Sequence, residues 1–228
     1  MKTGIRNSFF ILAVLTLAVS LIMCQKENEI FKTPPDVNPI DTTTPNPLAW
    51  TQAEIDLIMS QPGDSAMRIF LTTNYSDSML LRAQSINVIT DTFDTVFVRL
   101  MDRLKSTVIQ SGSGVGIAAP QIGISRNMYW LKRLDKTGNP WEVFLNPVIT
   151  AWSHDSINFI GDGCLSIPNV TGTTRRAKVI TIEYDSPDGQ HHVEAVDGWN
   201  AYGDFTAIIF QHETDHLNGI LFVDRKVN

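Results

Sequence analysis

The sequence predicts a folded domain of mixed helix and strand that occupies residues 50–228. Apolar residues recur at helical spacing over residues 91–111. Residues 127–196 instead contain several short β-forming segments separated by turns. A last helix is indicated over residues 204–218, close to the C-terminus. A domain of about 180 residues is long enough to bury a real hydrophobic core.

The N-terminal region predicts export rather than folding. Basic residues precede an apolar run over residues 9–23, which is too short to cross a bilayer and therefore predicts a signal peptide over residues 1–23. Cys24 follows directly, as in bacterial lipoproteins, so we expect it to carry lipid and to anchor the protein to a membrane. Gln25 stands where an aspartate would favour the inner membrane, so we expect the outer one. The alternative is an ordinary signal peptide with an incidental cysteine.

Residues 24–49 are rich in Pro and Thr and lack periodicity, which predicts a disordered tether. The net charge of −6 includes the basic leader, so the exported protein is acidic and no nucleic-acid partner is expected. There are two cysteines. If Cys24 is lipidated, Cys164 is left without an intrachain disulfide partner. We expect a monomer.

The helices and strands are predicted in chain order. Thr51 and Glu54 form a capping-box pattern that opens a short helix ending near Ser60. Residues 67–71 predict a strand or an irregular pairing segment. The apolar stripe of residues 91–111, which includes Phe93, predicts a core helix that ends at Gly112. The predicted strands are residues 128–132, 142–145, 148–152, 178–184 and 190–196, with a turn at 186–189.

Two motifs could suggest ligand binding and are interpreted otherwise. Residues 114–119 read Gly-x-Gly-x-x-Ala, but a helix precedes them and Pro120 interrupts the segment after them, which argues against a dinucleotide site. These glycines instead allow the backbone to pass close to a ligand. His191 and His192 adjoin a turn and are interpreted as solvent-facing strand residues rather than metal ligands.

The strongest motif is His-Glu-x-x-His at residues 212–216. His212 and His216 lie four residues apart, so on a helix they share one face and can hold one metal ion. Glu213 would then accept a proton from water at that metal. Asp204 is placed to cap the helix, and Asn218-Gly219 to end it. The alternative is an amphipathic helix with two partly buried histidines.

A zinc site needs a third protein ligand. The residues after His216 include no His, Cys or Glu, so the third ligand should come from upstream. Cys164, in a predicted tight loop over residues 161–168, is the soft ligand available there. A Cys-His-His set with an open fourth position has the form of a catalytic metal site. The alternatives for Cys164 are an inert buried thiol or a nucleophile paired with a histidine.

Three blocks together resemble the peptide deformylase family: residues 114–121, residues 163–166 and residues 211–216. The likeness extends from about Met67 to Asp224. It implies an α+β fold, in which antiparallel strands pack around a C-terminal metal-binding helix. It also implies removal of the formyl group from N-formylmethionyl peptides with one divalent metal ion, Fe²⁺ or Zn²⁺.

The resemblance assigns roles to particular residues. Cys164, His212 and His216 would be the metal ligands, and Glu213 the general base for attack by metal-bound hydroxide. The amide of Gln121 and the backbone N–H of Leu165 would stabilise the oxyanion. The residues implied in substrate binding are Val115, Gly116, Ile160, Phe205, Ile208 and Ile209.

The sequence departs from the family in two places. Asp162 replaces the usual glutamate before Gly-Cys-Leu-Ser, so its expected ion pair with Arg176 could be stretched. Residues 198–204 form a longer segment than usual before the metal helix. A deformylase acting on formylated peptides outside the cytoplasm is therefore the main hypothesis. The alternatives are a catalytically weak peptide-binding lipoprotein, a related amidase with another N-acyl substrate, and an endopeptidase.

Overall fold

A computed structural model describes residues 46–198 and 203–227. The helices are α1 (Gln52–Met59), α2 (Tyr75–Leu81), α3 (Thr95–Ser111) and α4 (Thr206–Leu217). The strands are β1 (Gly116–Ala118), β2 (Met128–Lys132), β3 (Trp141–Trp152), β4 (Ser156–Cys164), β5 (Ile167–Ala177), β6 (Val179–Asp185) and β7 (His191–Asp197). Short 3₁₀ turns cover Ala119–Ile122 and Phe222–Arg225. In the part of the chain that the structure describes, no helix combines the length and the apolar character needed to span a bilayer.

The strands form two antiparallel units. β1, β2, β3, β6 and β7 make one sheet in the order β1-β2-β3-β6-β7, and β4 pairs with β5 as a separate hairpin. Strands adjacent in the large sheet run antiparallel throughout. The predicted α+β class with antiparallel strands around a C-terminal helix is confirmed.

Helix α4 lies at the centre of this arrangement. It contacts β1, β2, β3, β5 and β7, and every residue in it except Thr214 is buried. Phe210 packs edge-on against Phe144 and Tyr129 from the sheet, with ring centroids 4.7 and 6.1 Å apart. A helix enclosed on this many sides holds its polar side chains in fixed positions, because they cannot turn away into solvent.

Helix caps decide where the predicted helices begin and end. Both hydrogen bonds of the predicted capping box form between Thr51 and Glu54. Helix α3 begins four residues later than predicted, because the Asp94 side chain accepts the N–H groups of Val96 and Phe97. Phe93 therefore lies outside the helix and is 94% exposed rather than part of the apolar stripe. Gly112 ends α3 with φ +75°, as expected.

Several strands differ from the prediction. Residues 142–145 and 148–152 belong to one strand, β3, which continues through an irregularity near Asn146. Residues 67–71 form the second of the two structures expected there, an irregular pairing segment rather than a strand, in which the Phe70 N–H donates to the Gln121 carbonyl. Cys164 is the last residue of β4 rather than part of a loop, and a two-residue turn leads into β5. This hairpin was missed because its polar and glycine-rich sequence lacks regular alternation.

The last residues of the predicted tether, Leu48 and Ala49, are hydrogen-bonded to the folded domain. Arg126 is buried and donates to the carbonyl oxygens of Leu48 and Ala49 and to the Glu54 carboxylate. Its guanidinium also lies 4.6 Å from the Trp50 ring centroid. The ordered domain therefore begins a few residues before residue 50. The predicted signal peptide, Cys24 and most of the tether lie outside the described residues.

Candidate active site

Helix α4 and the end of β4 bring three metal-ligand types together. Helix α4 supplies His212 and His216 from successive turns, and β4 supplies Cys164. One ligand atom from each lies within 4.8 Å of the other two. Cys164 Sγ is 3.2 Å from His216 Nε2. The three residues proposed from the sequence as metal ligands thus meet around one point.

The protonation chemistry of this cluster suits a divalent cation. Burial alone would raise the pKa of the Cys164 thiol, but the imidazoles of His216 and His212 hold that pKa well below its usual range. His212 Nδ1 is 3.0 Å from Asp162 Oδ1, which leaves Nε2 as the ring nitrogen available to a ligand. A thiolate and two imidazoles form a donor set that zinc and iron both accept.

Asp162 keeps its contacts although it is shorter than a glutamate. Its Oδ2 accepts hydrogen bonds from Thr174 Oγ1 at 2.7 Å and from Arg176 Nη2 at 3.3 Å. Burial opposes ionisation, but hydrogen bonding to His212 and Thr174 lowers the pKa of Asp162 to about 2. The expected contact with Arg176 is therefore present at the long end of the hydrogen-bond range.

Arg176 connects two acids, one of which the sequence motifs did not indicate. Its Nη1 donates to Asp215 Oδ2 at 2.5 Å, and Asp215 also accepts from Arg225. Asp215 lies inside the His-Glu-x-x-His motif, directly before His216. This position is the sequence feature that could have indicated a role for Asp215 near the metal ligands. Thr174 was also missed, and nothing local in the sequence points to it.

Glu213 lies beside the three ligands, and its side chain is almost fully buried. It is 4% exposed, and its Oε2 has no hydrogen-bond partner among the described residues. Burial raises the pKa of Glu213 to about 7, against the attraction of the two neighbouring imidazoles. The backbone of β1 passes close by: a Cβ added to Gly116 would lie 2.4 Å from Glu213 Oε1. Only glycine leaves the carboxylate its present position.

Gln121 is oriented by the backbone of its own turn. Its Oε1 accepts the Ala118 N–H at 2.9 Å, which directs Nε2 towards Cys164 Sγ at 3.4 Å and Ser166 Oγ at 3.3 Å. The amide thus presents N–H donors next to the metal-ligand cluster. Leu165 follows Cys164 directly and lines the cavity that opens onto the three metal ligands.

A cavity of about 560 Å³ opens onto this cluster. The predicted substrate residues that line it are Val115, Gly116, Phe205, Ile208 and Ile209. Phe159 also lines it, and its ring packs 5.4 Å from that of Phe205. The wall of the cavity beside the ligands is thus largely apolar.

Ile160 is the predicted site residue that the structure does not place in the cavity. It is 82% exposed, and its neighbour Phe159 lines the cavity instead. Strand β4 carries an irregularity between Ile160 and Asp162, where Gly161 has φ +87°. Such a bulge breaks the alternation of side chains, so Ile160 does not share the inward direction of Asp162. Within the longer segment before α4, residues 199–202 lie outside the described residues.

Comparison with known proteins agrees with this geometry. The profile of the family described as Polypeptide deformylase matches residues 71–228. The peptide deformylase of Desulforudis audaxviator is 36% identical over 160 residues, which cover 70% of this chain and 94% of that protein.

Solved structures give the same result. The peptide deformylase of Thermotoga maritima superimposes with a TM-score of 0.60 at 31% identity, covering 72% of this chain and 99% of that one. The Met-Ala-Ser-bound class I type b enzyme of Acinetobacter baumannii gives a TM-score of 0.60 at 28% identity, covering 71% and 99%. The chain therefore belongs to the peptide deformylase family, the metal-dependent enzymes that remove the formyl group from N-formylmethionyl peptides.

Proposed function

We propose that this protein deformylates N-formylmethionyl peptides outside the cytoplasm, with Cys164, His212 and His216 holding the metal. The observation that carries the catalytic part is the convergence of these three ligands beside the buried carboxylate of Glu213. A divalent metal held there would supply a Lewis acid and lower the pKa of a water molecule. The remaining steps are assigned to side chains of the chain itself.

Glu213 is the proposed proton carrier. A carboxyl group whose pKa lies near 7 can accept a proton and release it again at neutral pH. Its unpartnered Oε2 is free to take the proton of the attacking water and then to pass it to the departing amine. The close approach of β1 at Gly116 keeps the carboxylate in place, and Oε2 has no hydrogen-bond partner among the described residues.

Gln121 and Leu165 are the proposed oxyanion donors. The Gln121 amide is fixed by the Ala118 N–H, so its Nε2 is already directed at the cluster before substrate binds. The Leu165 backbone N–H lies next to Cys164 and is the second donor we propose. One preorganised donor of this kind can lower a barrier by about 3 kcal/mol.

The cavity wall supports methionine as the first residue of the substrate. Phe159, Phe205, Ile208 and Ile209 present apolar surface next to the ligands, and a thioether side chain packs well on aromatic and aliphatic groups. The Acinetobacter baumannii relative was solved with Met-Ala-Ser bound. We therefore choose formyl-Met-Ala-Ser as the test substrate.

The deciding experiment measures formate release from formyl-Met-Ala-Ser by the metal-loaded protein. Acetyl-Met-Ala-Ser and an internal peptide bond serve as comparison substrates. Release of formate with little acetate and no internal cleavage supports the proposal. Faster release of acetate from acetyl-Met-Ala-Ser than of formate from formyl-Met-Ala-Ser would favour the amidase alternative. Tight peptide binding without turnover would favour a binding protein.

Substitution of Gly116 by alanine should impair catalysis while leaving the fold intact. The new methyl group would displace the flexible end of Glu213, so we expect kcat/KM to fall about tenfold with little change in Tm. Gly172→Ala is the matched control, because its methyl group would meet only the flexible side chain of Lys226. Equal kinetics in the two variants would show that Glu213 is not positioned by β1.

The location follows from the predicted lipoprotein signal. We propose that Cys24 carries lipid and holds the enzyme at a membrane, with the outer membrane preferred. Fractionation of the native cells should place the wild-type protein with membranes and the Cys24→Ser variant in a soluble fraction. Recovery of both forms from the cytosol would contradict export. It would indicate instead that the enzyme acts on nascent chains.

The metal is proposed to be zinc in an aerobic host. Ferrous iron next to a thiolate is readily oxidised, and an exported protein lacks the reductants of the cytosol. Zinc has no redox chemistry and suits a Cys-His-His set. Metal analysis of protein purified anaerobically from its host should find mostly zinc. Mostly iron, stable for hours in air, would contradict the proposal and show that the fold protects ferrous iron from oxidation.

A further inference from the structure

A second cavity, of about 400 Å³, adjoins the metal centre. It lies at the end of β5 and beside the C-terminal half of α4, and Arg176 is one of its walls. Asp162, the ion-pair partner of Arg176, lines the catalytic cavity instead. The ion pair between Arg176 and Asp162 therefore lies between the two cavities. The two cavities share no lining residue among those that the structure describes.

The buried wall of the second cavity contains an unsatisfied donor. Arg176 is 4% exposed, and its Nε has no hydrogen-bond partner among the described residues, although both of its terminal nitrogens are paired. A buried N–H group without a partner costs free energy, because it has lost water and gained nothing in return. The charged guanidinium of Arg176 nevertheless forms part of the wall of the cavity.

Two further guanidinium groups face the same space. Arg175 donates its Nε to Ser156, and among the described residues its two terminal nitrogens have no partner. Arg225 donates Nε and Nη2 to Asp215, which leaves its Nη1 available. Planar guanidinium groups with free N–H donors are suited to bind carboxylates and other oxyanions.

The charge balance favours a singly charged anion. Three arginines are present, Arg175, Arg176 and Arg225. The acids paired with them are Asp215, in this cavity, and Asp162, on its far side. The arginines therefore exceed these acids by one positive charge, which a monocarboxylate would neutralise. A doubly charged phosphate would leave an excess of negative charge beside two aspartates.

The remaining walls are apolar. Ile149, Trp152 and Ile220 line the cavity, and Trp152 is 61% exposed at its edge. A ligand made only of an anionic group would leave this surface in contact with water. A hydrocarbon or aromatic body attached to the carboxylate would cover it and gain the free energy of apolar burial.

We propose that this cavity is a binding site for a small organic monocarboxylate with an apolar body. The carboxylate accepts from the free terminal nitrogens of Arg175 and Arg225, beside the charged guanidinium of Arg176, while the body packs on Trp152. Neither the metal ligands nor Glu213 takes part. The site is separate from the one that binds the formylated peptide.

Calorimetric titration of the metal-loaded protein with hexanoate tests the proposal. The titration is run without and with saturating Met-Ala-Ser, which keeps hexanoate out of the catalytic cavity. We expect hexanoate to bind, acetate to bind more weakly, and hexanamide and hexylamine not to bind. Absence of hexanoate binding, or binding that Met-Ala-Ser abolishes, would overturn the proposal. Inorganic phosphate binding more tightly than hexanoate would overturn the assignment to a monocarboxylate.

Variants locate the binding. Arg175→Gln should weaken hexanoate binding about tenfold, because it removes charge-assisted hydrogen bonds from a partly solvated donor. Arg99→Gln makes the same change on α3, at a residue that does not line the cavity, and should have no effect. Trp152→Ala should weaken hexanoate binding but leave acetate unaffected. Equal affinities in Arg175→Gln and Arg99→Gln would place the bound carboxylate elsewhere.

Discussion

The Glu213→Gln variant is expected to release formate from formyl-Met-Ala-Ser at least ~10²-fold more slowly than the wild type. Glutamine keeps the size of the side chain but cannot accept a proton at neutral pH. Since Glu213 is not one of the three ligands, metal content should not change. The measurement is kcat for formate release together with the metal content of the same sample.

Two comparison variants sharpen this test. Glu183→Gln makes the same change on the exposed surface of β6 and should leave turnover intact. Cys164→Ser should instead lower metal content, because it removes the thiolate ligand. If Glu213→Gln turns over at the wild-type rate with its metal bound, Glu213 is not the proton carrier and the proposed mechanism is wrong.

Replacement of Arg176 by methionine should lower the free energy of unfolding by about 3–5 kcal/mol. Arg176 is buried between Asp162 and Asp215, at 3.3 and 2.5 Å, and both acids are largely shielded from water. Without the arginine, Asp162 loses its ion-pair partner, whereas Asp215 keeps only the partly exposed Arg225. Burying an uncompensated charge is costly, and this cost exceeds the packing lost with the guanidinium.

Urea unfolding with a chelator present measures this effect without a contribution from metal binding. Arg175→Met is the matched control, because the neighbouring Arg175 is exposed and its side chain donates only to Ser156. The control should change stability by less than about 0.5 kcal/mol. If the two variants are equally stable, the buried ion pairs make no net contribution to the stability of the fold.

Contacts within a few residues explain which elements were predicted well. The capping box at Thr51, the turn at residues 186–189 and the αL glycine after α3 all act locally, so each leaves a short sequence pattern. Residues 186–189 form the expected connection between β6 and β7, with Gly189 at φ +80°. The start of α3 was misplaced because an aspartate cap, and not the apolar stripe, decides where the helix begins.

The hairpin of β4 and β5 shows where local pattern fails. Its strands pair mainly with each other outside the five-stranded sheet, so neither has the regular apolar alternation of a half-buried strand. Ile160, which the family resemblance assigned to the substrate pocket, lies in the same irregular hairpin. A bulge at Gly161 turns Phe159 into the cavity instead, and backbone register of this kind depends on pairing with β5.

The sequence by itself determined the half of the active site that lies on α4. The spacing of His212 and His216 places both on one face of any helix, and Glu213 accompanies them wherever that helix packs. Only the tertiary structure brings Cys164, 52 residues from His216, to the same point and places Arg176 between two aspartates. Helical periodicity is a property of the local backbone. Contacts between distant residues instead depend on strand register and on how the buried faces pack, which no short pattern encodes.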